Sequence, residues 1–400
     1  MAETVSAISA VLIPMKKILY VTTISGFLPQ FELNDVKIIQ EMGYEVHYAS
    51  NFDNPIYKFD KRELTEKGIV LHHIDVMKSP LSINKNIKAV KQLRNIIDTE
   101  RINLIHCHNP MGAMTARYAA HTSKQKPLVI YTAHGFHFYI GAPKLNWILY
   151  YPAEKTAARW TDVIVTINKE DFERAQKKFR LKRGGFVEQI HGVGIDNHKF
   201  SPKPEIAKLK RKELNIPADA FHIVTAAELN DNKNQRVIIE ALSMIKRDDV
   251  YYSICGKGPD KEKLEDLIEK YKLSDRVRLL GYRTDMDEVL QTADAFAFPS
   301  KREGLGIAAV EALSCGVPLI ASDNRGTREY AVHNMNAVVC KSDSVTDFVK
   351  AIDKVSTNTK FLQMLRSNSR RSAMRFSMEE TEKIMRSVYE RIDRKVLSGL

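Results

Sequence analysis

The chain has 400 residues, enough for two or three domains of ordinary size and for a full core without disulfide or metal staples. With 44% apolar and 28% charged residues, it is neither a disordered nor a fibrous chain. Its 61 Lys and Arg exceed 49 Asp and Glu, a formal +12 that calls for an anionic partner: nucleic acid, a phosphorylated metabolite or a membrane surface.

Most of the excess lies early. Residues 1–200 hold 27 basic and 19 acidic residues (+8), against +4 in the second half. Residues 101–150 carry Arg101, Arg117, Lys124, Lys126 and Lys144, five of the twelve histidines and no acid, so an anion is expected to approach there. Cys107, Cys255, Cys315 and Cys340 lie far apart, which indicates neither a zinc site nor a disulfide framework and fits a reducing cytosol. No apolar run approaches the ~20 residues of a membrane span.

In chain order, residues 1–14 carry Glu3 and lack the basic n-region of a secretory signal. They are expected to be a disordered leader or a mis-assigned start. KILYVTT, YEVHYAS, VLHHIDV, NLIHCHN, LVIYTAH and DVIVTIN then read as strands alternating with amphipathic stretches. Residues 196–217, rich in Pro, Gly and charge, read as a linker. A second series follows: HIVTAAEL, YYSICGK, VRLLGY, AFAFPS, PLIASD and AVVC. This alternation predicts an α/β chain with two parallel sheets facing a cleft. The domains are expected at 15–197 and 198–377, with a last helix in 378–400 crossing back to the first.

The sharpest motif is KREGLGIAAVEALSCGVPLIAS, a strand, glycine loop and helix in which Glu303 and Glu311 flank Gly304, Leu305 and Gly306. Glycines admit a ligand close to the backbone, helix-start amides suit a phosphate, and Glu311 can reach a vicinal diol. Solvated helix-start acids would give the same spacing. AELNDNKNQ adds Lys233 beyond a strand end, where open α/β sheets bind ligands. CGKGPDKEKLEDL places Gly258 in a tight turn before a helix, and Tyr282 and Arg283 follow a strand where they could border a base.

Together with DAFAFPS, HGVGIDNHKF, TAHGFHF and LYYPAEKTAARWTDVIVTINKED, these segments resemble the retaining glycosyltransferases of family 4 over residues 16–395. The resemblance is closest to the bacterial capsule and exopolysaccharide enzymes. It implies the GT-B fold, two Rossmann-like domains about a cleft, with no cofactor and no metal beyond the nucleotide-sugar substrate. It further implies that Glu311 binds ribose hydroxyls, that Glu303 with Gly304 to Gly306 binds the donor sugar, and that Lys233 holds the diphosphate. Gly26, in TTISGFL, matches the glycine loop near the phosphates, and His134 matches the histidine over the sugar. The family pattern usually has Arg five residues before the lysine. This chain has Glu228 there, so a second cation is expected from Arg283 or from the helix start after Glu303.

His106 and His108 alternate onto one strand face, but no third ligand lies nearby in sequence to make a metal site. In SINKNIKAVKQLRNII, Ile83, Ile87, Val90, Leu93 and Ile97 form an apolar stripe among Lys85, Lys88, Lys91 and Arg94. That helix could lie on anionic lipid or be an ordinary basic surface helix. Trp147, Tyr150, Tyr151 and Trp160 suit a lipid interface, a sugar face or the core equally. The implied partners are a UDP-sugar, a lipid-linked saccharide acceptor and an anionic membrane surface, with the protein peripheral at the cytoplasmic face. A UDP-GlcNAc 2-epimerase would share the architecture but has no second substrate for a basic, aromatic first domain. Nucleic-acid binding would rest on charge alone, since no recognition motif accompanies it.

Overall fold

The structure, a computed structural model, describes residues 15–53 and 59–398. The leader at 1–14 lies outside them. The first sheet contains β1 (Lys16–Val21), β2 (Tyr44–Ser50), β3 (Ile69–His73), β4 (Leu104–His108), β5 (Leu128–Ala133), β6 (Val163–Thr166) and β7 (Phe186–Gln189), in the order β3-β2-β1-β4-β5-β6-β7. The second contains β8 (Phe221–Ala226), β9 (Val250–Cys255), β10 (Val277–Gly281), β11 (Ala295–Phe298), β12 (Leu319–Ser322) and β13 (Ala337–Cys340), in the order β10-β9-β8-β11-β12-β13. Every pairing is parallel.

Helices cover both faces of each sheet, so the central strands are apolar runs buried on both sides. All twelve strands expected from sequence are present, and the architecture is GT-B as expected. Strand β7 was missed because its FVEQ is short, half-polar and half-exposed at the sheet edge. Part of the expected linker is also structured. The helix Pro204–Glu213 is clamped to the second domain by Lys210 to Asp285 at 2.6 Å and Arg211 to Asp294 at 2.7 Å.

The last helix, Met378–Ser398, lies on the first domain against the helix Leu33–Glu41. Tyr389 Oη donates to Asp35 at 3.0 Å and meets Tyr20 Oη at 2.9 Å. Asp393 receives both Lys16 Nζ and Tyr44 Oη at 2.7 Å.

The first domain's surface departs from expectation at one cation, and the apolar stripe of its basic helix divides along its length. In the helix Ile83–Glu100, Ala89, Leu93 and Ile97 reach the core, whereas Ile83 and Ile87 remain 61% and 51% exposed. Arg117 is not a surface cation. It is fully buried, 2.8 Å from Glu154 and stacked 4.2 Å from the Tyr131 ring. A buried guanidinium stripped of its carboxylate loses the attraction that offsets desolvation, so Glu154→Gln is expected to cost about 3–5 kcal/mol. Urea unfolding should show an earlier midpoint at unchanged slope.

Candidate functional site

The C-terminal ends of the two sets of strands face each other, as ligand-binding α/β sheets require. On the second domain, two loops beyond β8 and β11 are laced together. Lys301 N donates to Asn232 O at 2.8 Å, and Asn232 Nδ2 donates to Arg302 O at 3.0 Å. The lacing brings Lys233 Nζ to 2.6 Å from Glu303 Oε1. Glu303 continues into Gly304, Leu305 and Gly306, and Gly306, at φ +96°, caps the helix Ile307–Ser314. A Cβ there would lie 2.6 Å from the Phe298 ring, so Gly306 is required for both conformation and space. Tyr330 Oη holds the loop by donating to Leu305 O at 2.9 Å.

The loop reaches across to the first domain. A Cβ on Gly304 would stand 2.5 Å from the carbonyl oxygen of His134, so glycine lets the chains touch there. Leu305 fills the space beside Gly192, which has no room for a side chain. Between the domains lies a cavity of about 260 Å³, bordered by His134, His137, Tyr139, Asn232, Arg302, Glu303 and Arg325 among others. The structure thus gathers His134, Glu303 and Gly304 around one space, with Lys233 held against Glu303. Arg302 has no ion-pair partner among the described residues and lends this space a free positive charge.

His134 stands just past β5. Burial pushes its pKa down to about 4, so the ring is neutral at physiological pH and can exchange hydrogen bonds but cannot neutralise a phosphate. Gly26 lies buried in the turn after β1, and its neighbour Phe27 meets His134 edge-on, centroids 4.9 Å apart. Behind it the fold supplies what sequence proximity did not. His108 Nδ1 is 3.2 Å from His134 Nε2, and Glu32 Oε1 is 3.5 Å from His108 and 3.9 Å from His134. These three could hold a divalent cation, since their ligand atoms lie within 4.8 Å of one another. Burial raises the Glu32 carboxyl well above its ordinary range and depresses His108 well below its own. His108 supports His134 through their hydrogen bond, while Glu32 Oε1 and His108 Nε2 are buried without a hydrogen-bond partner among the described residues.

Other expected residues lie apart from this cavity. Glu311 sits a turn into its helix, its pKa raised to about 7 by burial, with Lys199 opposing and Asp287 assisting. Tyr282 is 70% exposed and borders, with Glu228, Arg283 and Gly256, a second cavity of about 420 Å³. Arg283 is already neutralised, donating to Asp285 through Nε at 2.8 Å and lying 3.1 Å from Glu213. Its charge is thus engaged by carboxylates of its own domain, as that of Lys233 is by Glu303. Gly258 has no room for a Cβ beside the Leu229 backbone, so its smallness serves the packing of two loops.

Sequence reasoning missed Arg325 and Asp171. Arg325, beyond β12, lies 3.1 Å from Asp171 on the first domain, and both are buried. Arg325 Nε also donates to Glu303 O at 3.3 Å, and Asp171 accepts Phe136 N at 3.0 Å. The available signal was an Arg-Gly pair just past a strand end, a position that faces the cleft.

The Glu311 shift gives a signed test. Its folded pKa of about 7 lies above the unfolded value, so the native state holds the proton more tightly and loses stability as pH rises from about 4.5 to 7. Glu311→Gln removes the charge. It should match wild type near pH 5 and be about 1–3 kcal/mol more stable at pH 8, as read from unfolding curves at the two pH values.

Residues 207–372 match the family described as "Glycosyl transferases group 1", and residues 37–191 match "Glycosyltransferase Family 4". The chain is 35% identical to the putative glycosyltransferase EpsD of Bacillus subtilis, over 94% of this chain and 96% of that protein. It is 28% identical to the UDP-Gal:alpha-D-GlcNAc-diphosphoundecaprenol alpha-1,3-galactosyltransferase of Escherichia coli, over 72% and 75% of the two chains. Its fold superposes on Anabaena HepE, solved with UDP-glucose, at TM-score 0.75 and 18% identity, over 94% and 99% of the two chains. On this evidence, and with two parallel-sheet domains closing on a shared cleft, the chain belongs to the family 4 glycosyltransferases.

Proposed function

We propose that the enzyme is a retaining transferase that moves a sugar from a UDP donor to a saccharide carried on a lipid diphosphate, in capsule or exopolysaccharide synthesis. The observation that carries this reading is the cavity in which Glu303 of one domain, with Lys233 held against it, faces His134 of the other. The galactosyltransferase relative, whose name specifies a UDP-sugar and a diphosphoundecaprenol acceptor, supports both substrate classes.

In this reading Glu311 binds the ribose diol and Glu303, with the Gly304–Gly306 backbone, binds the sugar hydroxyls. Lys233 and Arg302 draw charge from the diphosphate as it leaves. Arg302 takes the place expected of Arg283. The acceptor hydroxyl attacks the anomeric carbon on the face from which the diphosphate departs. As the bond to UDP breaks, the hydroxyl proton passes to the departing diphosphate oxygen. Catalysis then comes from positioning and charge stabilisation, with neutral His134 exchanging hydrogen bonds with the sugar. No step passes through a metal.

The acceptor would be met at the inner face of the cell membrane. No helix among the described residues is long and apolar enough to cross a membrane. The first domain instead exposes Leu81, Ile83 and Ile87 around the start of the basic helix, and Leu145, Ile148 and Leu149 on the helix Lys144–Ala157, apolar side chains suited to lipid contact.

Lys233→Ala and Glu303→Ala should each lower sugar transfer by roughly a hundredfold or more, with the circular dichroism spectrum unchanged. Full activity in either variant sinks the assignment. Transfer from UDP-sugars should persist in excess EDTA; loss restored by one divalent cation would move the Glu32, His108 and His134 group into the reaction.

A further inference from the structure

Three side chains that sugar transfer does not use together meet just behind the cleft wall. His108 ends β4, His134 follows β5, and Glu32 stands at the junction of the helices Phe27–Phe31 and Leu33–Glu41. His108 Nδ1 and His134 Nε2 are 3.2 Å apart, and Glu32 Oε1 is 3.5 Å from the first and 3.9 Å from the second. The point equidistant from these three atoms lies about 2.1 Å from each, which is the bond length of zinc to imidazole nitrogen and carboxylate oxygen.

The acid lacks any other partner. Glu32 is 5% exposed, yet Oε1 has no hydrogen bond among the described residues, and a bare buried acceptor is costly. Its neighbour Asp35 is buried as well, and among the described residues no Lys or Arg lies within ion-pair distance of either carboxyl. A cation is what this interior is short of.

The rings around that oxygen are held in place. Phe27 packs on both, its centroid 4.9 Å from His134 and 5.7 Å from His108, and Tyr20 lies parallel to His108 at 6.3 Å. An ion can enter from the cleft, because the His134 side chain is 23% exposed and borders the inter-domain cavity. His108 and Glu32 lie behind it.

We propose that Glu32, His108 and His134 form a Zn²⁺ site whose occupation inhibits sugar transfer. Two imidazoles and one carboxylate suit zinc rather than Mg²⁺ or Ca²⁺, which favour oxygen ligands, and three protein ligands leave one position for water. Binding needs both rings neutral and Glu32 ionised. The proton between the rings moves to the far nitrogen of whichever ring holds it, and the ion takes its place. Glycosyl transfer builds positive charge on the sugar ring, and a dication held by His134 opposes it. The inhibition rests on His134 meeting the sugar, as in the preceding reading; the metal site itself does not.

The test uses the full chain, stripped of metal, with Zn²⁺ as the probe. Competition against a chromophoric chelator should show one tightly bound zinc per chain, and zinc should raise the melting temperature. X-ray absorption at the zinc edge should show nitrogen and oxygen neighbours at about 2.0–2.2 Å, two imidazoles among them and no sulfur. Glu32→Gln and His108→Gln should each weaken this zinc by more than the roughly 10–100-fold lost with an outer-shell partner, the metal-free melting temperatures confirming the fold. Wild-type transfer should fall in proportion to the zinc bound and return with EDTA. No tight zinc on the wild type, zinc bound equally by both variants, or sulfur in its shell overturns the site. Zinc bound there with transfer undiminished overturns the inhibition. Metal-free wild type that transfers no sugar refutes the transfer reading instead, and the binding measurements then still decide the site.

Discussion

The ion pair between Arg325 and Asp171 sets the relation between the two halves of the site. Neither sheet contains both partners, and both side chains are buried at the domain boundary. Asp171 is prepared from its own side, accepting Phe136 N and Asn168 Nδ2, each at 3.0 Å. Arg325 arrives from the other side and ties the same contact to the backbone of Glu303. The turn carrying His134 and the loop carrying Glu303 are therefore positioned by one charged contact. Desolvation makes such a pair a poor source of stability, but its geometric demand selects one register of approach over others. Gly304 and Gly192 act in the same direction by steric means, admitting a neighbour that any Cβ would exclude.

Behind His134 the first domain tolerates a buried group that would ordinarily be expensive. Glu32, Asp35, His106 and His108 all lie inside, and Asp35 has its pKa raised to about 7 by burial while His106 falls to about 3. The charges are avoided rather than paired. Burial favours the protonated carboxyls and the neutral imidazoles, which lowers the electrostatic cost of enclosing them. Tyr389, from the returning C-terminal helix, joins this group through His106 at 2.8 Å and Asp35 at 3.0 Å. The last helix thus completes the interior behind the site as well as covering the first domain.

The fold was legible in the sequence because parallel strands buried on both faces leave long apolar runs, and twelve such runs were visible. Edge strand β7 was not, since half-exposed FVEQ has no such signature. The segment EGLGIAAVE was legible because loop, glycines and helix are contiguous. What escaped were pairings across sequence distance. Nothing near His108 announces Glu32, 76 positions earlier, nor does anything beside Arg325 name Asp171. The partners of Arg283 are mixed: Asp285, two residues on, was in view, whereas Glu213 stands on another element. Composition also overcounted the surface, since Arg117 contributes to the charge of 101–150 without facing solvent.

The net +12 acquires a location once paired cations are set aside. Around the nucleotide domain, Lys210, Arg211, Arg283 and Arg328 each lie within ion-pair distance of a carboxylate, and Lys233 stands against Glu303. Their fields are largely closed on the protein itself, so they do little to draw an anion from a distance. Arg302, at the cleft, has no ion-pair partner among the described residues. Lys85, Lys91 and Arg94, on one helix, have no ion-pair partner among the described residues and stand beside exposed isoleucines and opposite a helix without acids. Unpaired charge of one sign next to exposed apolar surface is held against both self-repulsion and hydration.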